Sequence, residues 1–380
     1  MTSQSINLMA VGDISLASKD PESLFIKVSP ILKSADIVVG QLETPCTLRS
    51  VVTGVWGVIG HPNATPKGCD PQNMKALRSA GFNVIHLAGN KIWDAGVPGI
   101  EDTTNGLRNL GIATIGAGMN LDEARAPAVI EKKGMKIGFL SYNCVGPKET
   151  WANPLKAGCS WVRIVTAYEL DHPTPGANPT IYTFPSPDSL KAMTDDIHEL
   201  RNHCDVLVVH FHKGIGLVPI KLAMYEQIVS HAAIDAGADL ILAEHAHILK
   251  GIERYKDKII FHGLASFVDP PAPFVKRPEW IIEQQKNIFK ESFGIEIDGS
   301  EYWPHVQNSN LSIIAKCVVR DGKISQIGFL PCLINSIGQP EILPHNTLGQ
   351  EVFDYMEHIT EKAALNVHYK WDGNEIVICG

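Results

Sequence analysis

The sequence predicts an α/β fold, and three observations predict it. Apolar runs of strand length alternate with stretches of helical character along most of the chain. Glycine and proline punctuate the boundaries between them. Several apolar runs end in a carboxylate, an amide or an imidazole. Alternation of this kind builds a parallel sheet with crossover helices, and in open α/β sheets ligands sit beyond the carboxyl ends of the strands. The 380 residues, 44% of them hydrophobic, are enough for one large domain or two smaller ones. We read 1–380 as a single domain carrying two inserted regions, 143–187 and 269–310.

In chain order, Leu8-Met-Ala-Val11 is a buried-strand run ending in Gly12-Asp13. A helix is expected from Pro21 to Lys33. Ala35 to Gly40 is a second strand, running into Gln41-Leu-Glu43, so it also ends in a carboxylate. Thr44 to Asp70, broken by Pro and Gly, reads as a long loop. Pro71 to Ala80 has helical character, with Gly81 as its stop. Phe82 to Ala88 is a third strand and empties into Gly89-Asn90-Lys91-Ile-Trp-Asp94. A helix from Gly99 to Leu110 and strands at 111–115 and 136–141 follow.

Asn143 to Pro187 breaks this rhythm. Loops so long are usually functional or disordered, and Trp151, Trp161, Tyr168 and Tyr182 favour an ordered segment covering a site. Asp188 to Asn202 is a helix. Cys204 to Val209 is a strand ending in His210-Phe-His212-Lys-Gly214, and Leu222 to Ala236 is a helix closed by Gly237. A strand from Asp239 to Ala243 then ends in Glu244, His245 and His247. Lys258 to Phe267 is apolar. From Asp269 to Asn310 the chain is rich in Pro, Lys, Glu and aromatics, among them Trp280, Phe289, Phe293, Tyr302 and Trp303; a partly helical lid is expected. Leu311–Val319 and Lys323–Phe329 form a hairpin through Asp321-Gly322, and Gly349 to Ala364 is a closing helix.

Composition excludes several classes. The net charge is −8 and no basic run stands out, so nucleic acid is not an expected partner. No apolar run approaches the ~18 residues of a membrane span, and the first ten residues lack the pattern of a signal peptide. The eight cysteines include no Cys-x-x-Cys pair and suit reduced thiols in a cytoplasm.

The chemistry gathers at the strand ends. Side chains at i and i+2 of an extended segment share a face, so His245 and His247 can present two imidazoles to one point. A lone His-x-His is a weak pattern, a lone Asp after a strand is more often a cap, and a lone Asn is more often a turn. Together Asp13, Glu43, Asn90, His212, His245 and His247 make a donor set suited to Mn, Fe or Zn. Six donors exceed the needs of one catalytic zinc and suit two divalent ions sharing a carboxylate. His86 reads as structural, His210 shares the face of His212, and Lys213 and Lys250 read as solvated.

In these ordered pieces the chain resembles the CapA family, the bacterial capsule (poly-γ-glutamate) synthesis proteins of the calcineurin-like metallophosphoesterase superfamily. The pieces are Ala10-Val-Gly-Asp13, Asp36 to Glu43, Gly81 to Asn90, Asp94-Ala-Gly96, Gly116-Ala-Gly118, Asp205 to Gly214 and Ala236 to Glu253. Asp321-Gly-Lys-Ile, Pro331 and Gly338-Gln-Pro340 match as well. The resemblance implies a four-layer α/β/β/α sandwich and places the six donors at the superfamily's metal-ligand positions. The chain departs from the family at the rim. Gly89-Asn90-Lys91 stands for Asn-Asn-His, whose His is a general acid in the superfamily. Ala243-Glu-His-Ala-His247 stands for Gly-His-His-Pro-His, and His262-Gly-Leu-Ala-Ser-Phe267 for Tyr-Ser-Leu-Gly-Asn-Phe.

We therefore count Lys91, Asp94 and Glu244 as candidate catalytic residues. Lys91 is expected to serve as acid or anion clamp without binding metal, since an ammonium has no lone pair. Successive side chains on a strand alternate faces, so Glu244 is expected to point away from the metal donors or to orient a ligand histidine by accepting its ring N–H. The rival placement has Glu244 ligate the metal itself. The expected function is a soluble, cytoplasmic hydrolase whose metal-bound hydroxide attacks a small ester, lactone, amide or phosphoester, anionic substrates included. Accessory work in capsule-polymer synthesis and metal-dependent lyase chemistry are the rival readings.

Overall fold

The computed structural model describes residues 4–49, 68–169, 180–270, 279–294, 296 and 307–379. Among these, one sheet has the strand order His368–Asp372, Glu375–Cys379, Lys323–Ile334, Leu311–Arg320, Ser5–Ile14, Ile37–Leu42, Val84–His86, Ala113–Ile115. Its last four strands run parallel. A second sheet has the order Ile252–Tyr255, Lys258–Phe261, Leu240–His245, Val206–Lys213, Met135–Asn143, Ala128–Lys132, with a parallel centre.

The period of two along each strand explains how the sheets stack. Ile6, Leu8 and Ala10 share a face with Ile37, Val39 and Val84, and pack against Ile137, Phe139, Val206, Val208, Leu240 and Leu242 of the other sheet. The intervening Met9, Val11, Val38 and Ile85 face away, onto Leu77, Ile100 and Leu107 of the helices Lys75–Ala80 and Gly96–Asn109. On the second sheet Leu140, Leu207, Val209 and Ile241 meet Met193, Ile197, Val229 and Ala233 of the helices Pro187–Arg201 and Met224–Asp235. The layers are thus helix, sheet, sheet, helix, the order the resemblance implied.

Most expected elements form within a few residues of their expected bounds. Gly81 closes its helix with a φ of 106°, which a residue without Cβ adopts at little cost. Asp321 and Gly322 turn the hairpin with φ of 50° and 72°. The helix expected from Pro21 to Lys33 is instead a 3-10 turn, Ser23–Phe25, and a short helix, Ser29–Leu32. Pro30 is the reason: it has no N–H to continue a helix and is tolerated only at a first turn. The C-terminal hairpin His368–Asp372 and Glu375–Cys379 has no counterpart in the sequence reading.

The first inserted region is ordered over its described part. It contributes strands Gly158–Cys159, Ile164–Glu169 and Thr180–Pro185, and Trp151 stacks on Trp161 with ring centroids 4.8 Å apart. The second contributes a helix, Glu279–Phe293; Tyr302 and Trp303 lie outside the described residues, as does most of the 44–70 loop. The expectation of reduced thiols throughout is corrected. Cys46 and Cys69 form a disulfide, because a parallel bridge brings their backbones together at the two ends of that loop. The other six cysteines are free.

Candidate metal centre

The face between the sheets is apolar at mid-strand and turns polar toward the carboxyl ends. Val39 is followed on that face by Gln41 and Glu43, Val84 by His86, Val208 by His210 and His212, and Leu242 by Glu244. The Ser5–Ile14 strand reaches the same rim through a shift of register between Ala10 and Asp13. Gly12 makes that path possible: a Cβ there would collide with the Ala265 carbonyl oxygen, which instead accepts from the Asp13 N–H at 3.1 Å.

The sequence-predicted donors gather in two trios. In the first, His247 Nε2 lies 3.0 Å from Glu43 Oε1, and its Nδ1 lies 3.6 Å from Asp13 Oδ2. Ser266 Oγ meets the same Nδ1 at 3.0 Å. In the second, His212 Nε2 lies 3.0 Å from Asn90 Oδ1 and 3.1 Å from His245 Nδ1. The His245 and His247 rings, 6.4 Å apart, join the two groups. His245 has a φ of 95° and His247 of 53°. Non-glycine residues rarely hold such angles, which cluster at functional sites.

Burial and neighbours fix the protonation of these groups. Burial, with the Glu43 charge beside it, raises the Asp13 carboxyl well above the usual range. Burial would do the same to Glu43, but Lys91 and His247 outweigh it and hold that carboxyl well below the usual range. Burial, and then the neighbouring His245, push His212 well down. Burial and His247 push His245 down to about 3. Both imidazoles therefore keep a lone pair at neutral pH, as a metal requires. For His247 burial is outweighed by Glu43, and its pKa rises.

Lys91 lies on the first trio, its Nζ 2.7 Å from Glu43 Oε1 and its side chain 29% exposed. Burial works against its charge, but Glu43, then Asp13 and Asp94, raise its pKa, so it is an ammonium. Asp94 is buried next to it, its N–H donating to the Lys91 carbonyl at 2.9 Å.

Glu244 points away from the rim donors, one of the placements expected of it. Its carboxylate meets neither His212 nor His245; Oε1 faces His86 Nε2 at 3.3 Å and His210 Nδ1 at 3.4 Å. Alternation is the reason: Glu244 follows Leu242 into the inter-sheet layer, beneath the rim. Lys213 and Lys250, expected in solvent, are fully buried. Lys213 Nζ reaches His262 Nδ1 at 2.9 Å and Glu226 Oε2 at 3.5 Å, and Lys250 Nζ lies 3.7 Å from Glu226 Oε1. The sequence reading missed Gln41 and Ser266. Gln41 Oε1 meets His212 Nδ1 at 2.8 Å, and its place two residues before Glu43 on one strand face was the available clue.

The donor set fits a divalent metal. With Gln41 taking the Nδ1 proton of His212, Nε2 turns a lone pair toward an amide oxygen and a second imidazole. Separations near 3.0 Å suit two ligands of one ion with bonds of about 2.0–2.2 Å. The buried Oδ1 of Asp13 has no hydrogen-bond partner, as befits an atom that a cation satisfies.

Residues 7–271 match the family model described as bacterial capsule synthesis protein PGA_cap. The PGA biosynthesis protein CapA of Bacillus subtilis is 28% identical over 267 residues, 68% of this chain and 62% of that protein. The capsule biosynthesis protein CapA of Bacillus anthracis is 26% identical over 279 residues, 70% of this chain and 60% of that protein. The chain thus spans about three-fifths of the length of these relatives. Among solved structures, a hypothetical protein from Thermus thermophilus aligns with a TM-score of 0.45 at 12% identity, over 86% of this chain and 98% of that one. Calcineurin-like phosphoesterase YfkN from Bacillus subtilis aligns with a TM-score of 0.39 at 12% identity, over 95% of this chain and 99% of that one. The match to the family model covers well over half of the chain, and this protein belongs to the bacterial capsule synthesis protein family.

Proposed function

We propose that this chain is a metal-dependent hydrolase acting on a small ester, lactone, amide or phosphoester, anionic substrates included. The observation that carries this reading is the pair of donor trios at one rim, with a charged lysine against their shared edge. Asp13, Glu43 and His247 would hold one ion, and Asn90, His212 and His245 a second. Bound there, the ions supply a Lewis acid for the scissile group and lower the pKa of water. Glu43 stands beside both trios, since its charge also acts on His212 and His245.

The side chains do the rest. Gln41 and Ser266 orient His212 and His247. Lys91 keeps a proton on Nζ at neutral pH, and can give it to a leaving group or hold an anionic substrate by charge. The first inserted region reaches this rim: Lys156 Nζ lies 3.9 Å over the ring of Trp93, the residue before Asp94. That supports a covered site for a modest-sized substrate.

Metal content per chain, with a screen of phosphodiester, lactone and amide substrates before and after chelation, tests the proposal. We expect one or two equivalents of Mn, Fe or Zn, and a hydrolysis lost on chelation and restored by metal. A fully loaded protein that turns over none of the classes would overturn it. Family membership favours one second reading, an accessory role in making a polymer such as poly-γ-glutamate. That role predicts that Asp13→Asn still supports polymer formation in a producing cell.

A further inference from the structure

We propose that His86, His210 and Glu244 form a second, structural metal site, buried between the sheets and separate from the rim. The three residues come from three strands and from both sheets, Val84–His86 on one side and Val206–Lys213 and Leu240–His245 on the other. All are fully buried. One donor atom from each lies within 4.8 Å of the others. The chemical class is a zinc-like or ferrous divalent ion, for which two imidazoles and one carboxylate are an established donor set.

The spacing of the trio suits a shared ion. Both ring nitrogens face the same oxygen, Glu244 Oε1, at 3.3 and 3.4 Å. Charge-assisted hydrogen bonds are shorter, about 2.7–2.9 Å. Two donors on one tetrahedral ion with bonds of about 2.0–2.1 Å sit about 3.3 Å apart. The rings lie 4.4 Å apart, centroid to centroid, tilted by 34°. His86 Nε2, a donor atom of the trio, is buried without a hydrogen-bond partner, as is Glu244 Oε2. A buried carboxylate with an unpartnered oxygen is costly, and a cation bound to that carboxylate offsets its charge. Outside the trio, Ser141 Oγ meets His86 Nδ1 at 3.4 Å, the kind of support that orients a metal-bound imidazole.

The sequence pattern points the same way. Val84, Val208 and Leu242 occupy the preceding positions on the same inward faces, so polar residues arrive together from three strands where apolar ones would pack. A metal clamp here ties the two sheets together beneath the rim. No exposed atom offers substrate a way in, which makes the role structural.

The test is anomalous diffraction at the zinc edge, on crystals of the protein purified with zinc, together with metal counts per chain. We expect an anomalous peak within bonding distance of Glu244 Oε1, His86 Nε2 and His210 Nδ1. We also expect one equivalent that resists brief chelation. In the triple variant Asp13→Asn, His212→Ala, His247→Ala both rim trios are broken, and the resistant equivalent should remain. His86→Gln should lose it and leave rim metal in place. If His86→Gln does not fold, the wild-type anomalous map still decides. A map without that peak, or a rim variant that retains no metal, overturns the site. Either outcome is distinct from a failure of the hydrolase reading, which rests on turnover at the rim.

Discussion

His212 shows how far one residue's chemistry is set by its neighbours. Gln41 takes its Nδ1, burial keeps it neutral, and Nε2 is left facing Asn90 and His245. Gln41→Leu keeps the volume and removes the acceptor, so the imidazole loses its fixed tautomer. We expect metal affinity at the rim to fall by ~10–100-fold, read by titration calorimetry; unchanged affinity would remove Gln41 from the account. Lys91 acts in the opposite sense. Its ammonium sits 2.7 Å from a carboxylate that a cation needs, so it competes with metal. Lys91→Met should raise metal affinity while lowering turnover ~10²-fold or more. Loss of metal on that substitution contradicts the assignment.

At the scale of elements, the strand Ile252–Tyr255 carries a second electrostatic commitment. Glu253 accepts from His262 at 2.9 Å and His231 at 2.7 Å. Burial opposes its charge, but those histidines hold its pKa down at about 2. A carboxyl depressed on folding stabilises the native state above its unfolded pKa of about 4.3, and the gain is lost as pH falls through the folded value. Urea unfolding of wild type and Glu253→Gln between about pH 6 and pH 2 should therefore converge as pH falls below ~4. Curves that stay parallel would show that folding does not lower the Glu253 pKa. The disulfide across the long loop is checked by alkylating the denatured, unreduced protein: six of the eight cysteines should react. Eight labelled thiols would return the chain to the reduced state that its sequence suggested.

For the whole molecule, the layer between the sheets joins stability to function. Phe139 is fully buried there, and Phe139→Ala should cost about 3–5 kcal/mol, measured by urea unfolding. Metal is the other coupling, because a ligand that binds only the native state stabilises it. At a hundredfold excess over Kd the gain is ~2.7 kcal/mol per site. Chelation should lower the melting temperature accordingly, and Asp13→Asn should shrink the shift. Among the described residues no helix is long and apolar enough to cross a membrane.

What the sequence determined by itself was local. Apolar runs and their punctuation located most strands and helices, and the polar residue at each run's end marked the rim: Asp13, Glu43, Asn90, His212, His245 and His247. Period-two alternation does not depend on distant partners, which is why these were legible. What only the tertiary structure decided was which faces meet. That Gln41 would orient His212, across 171 positions of chain, required two sheets to close face to face. The same closure buried Lys213 and Lys250, which look like surface residues in sequence, and turned Glu244 away from its neighbour His245 toward His86 and His210. Side-chain direction along one strand follows from that strand, but the partner waiting there comes from another sheet, and no local pattern encodes it.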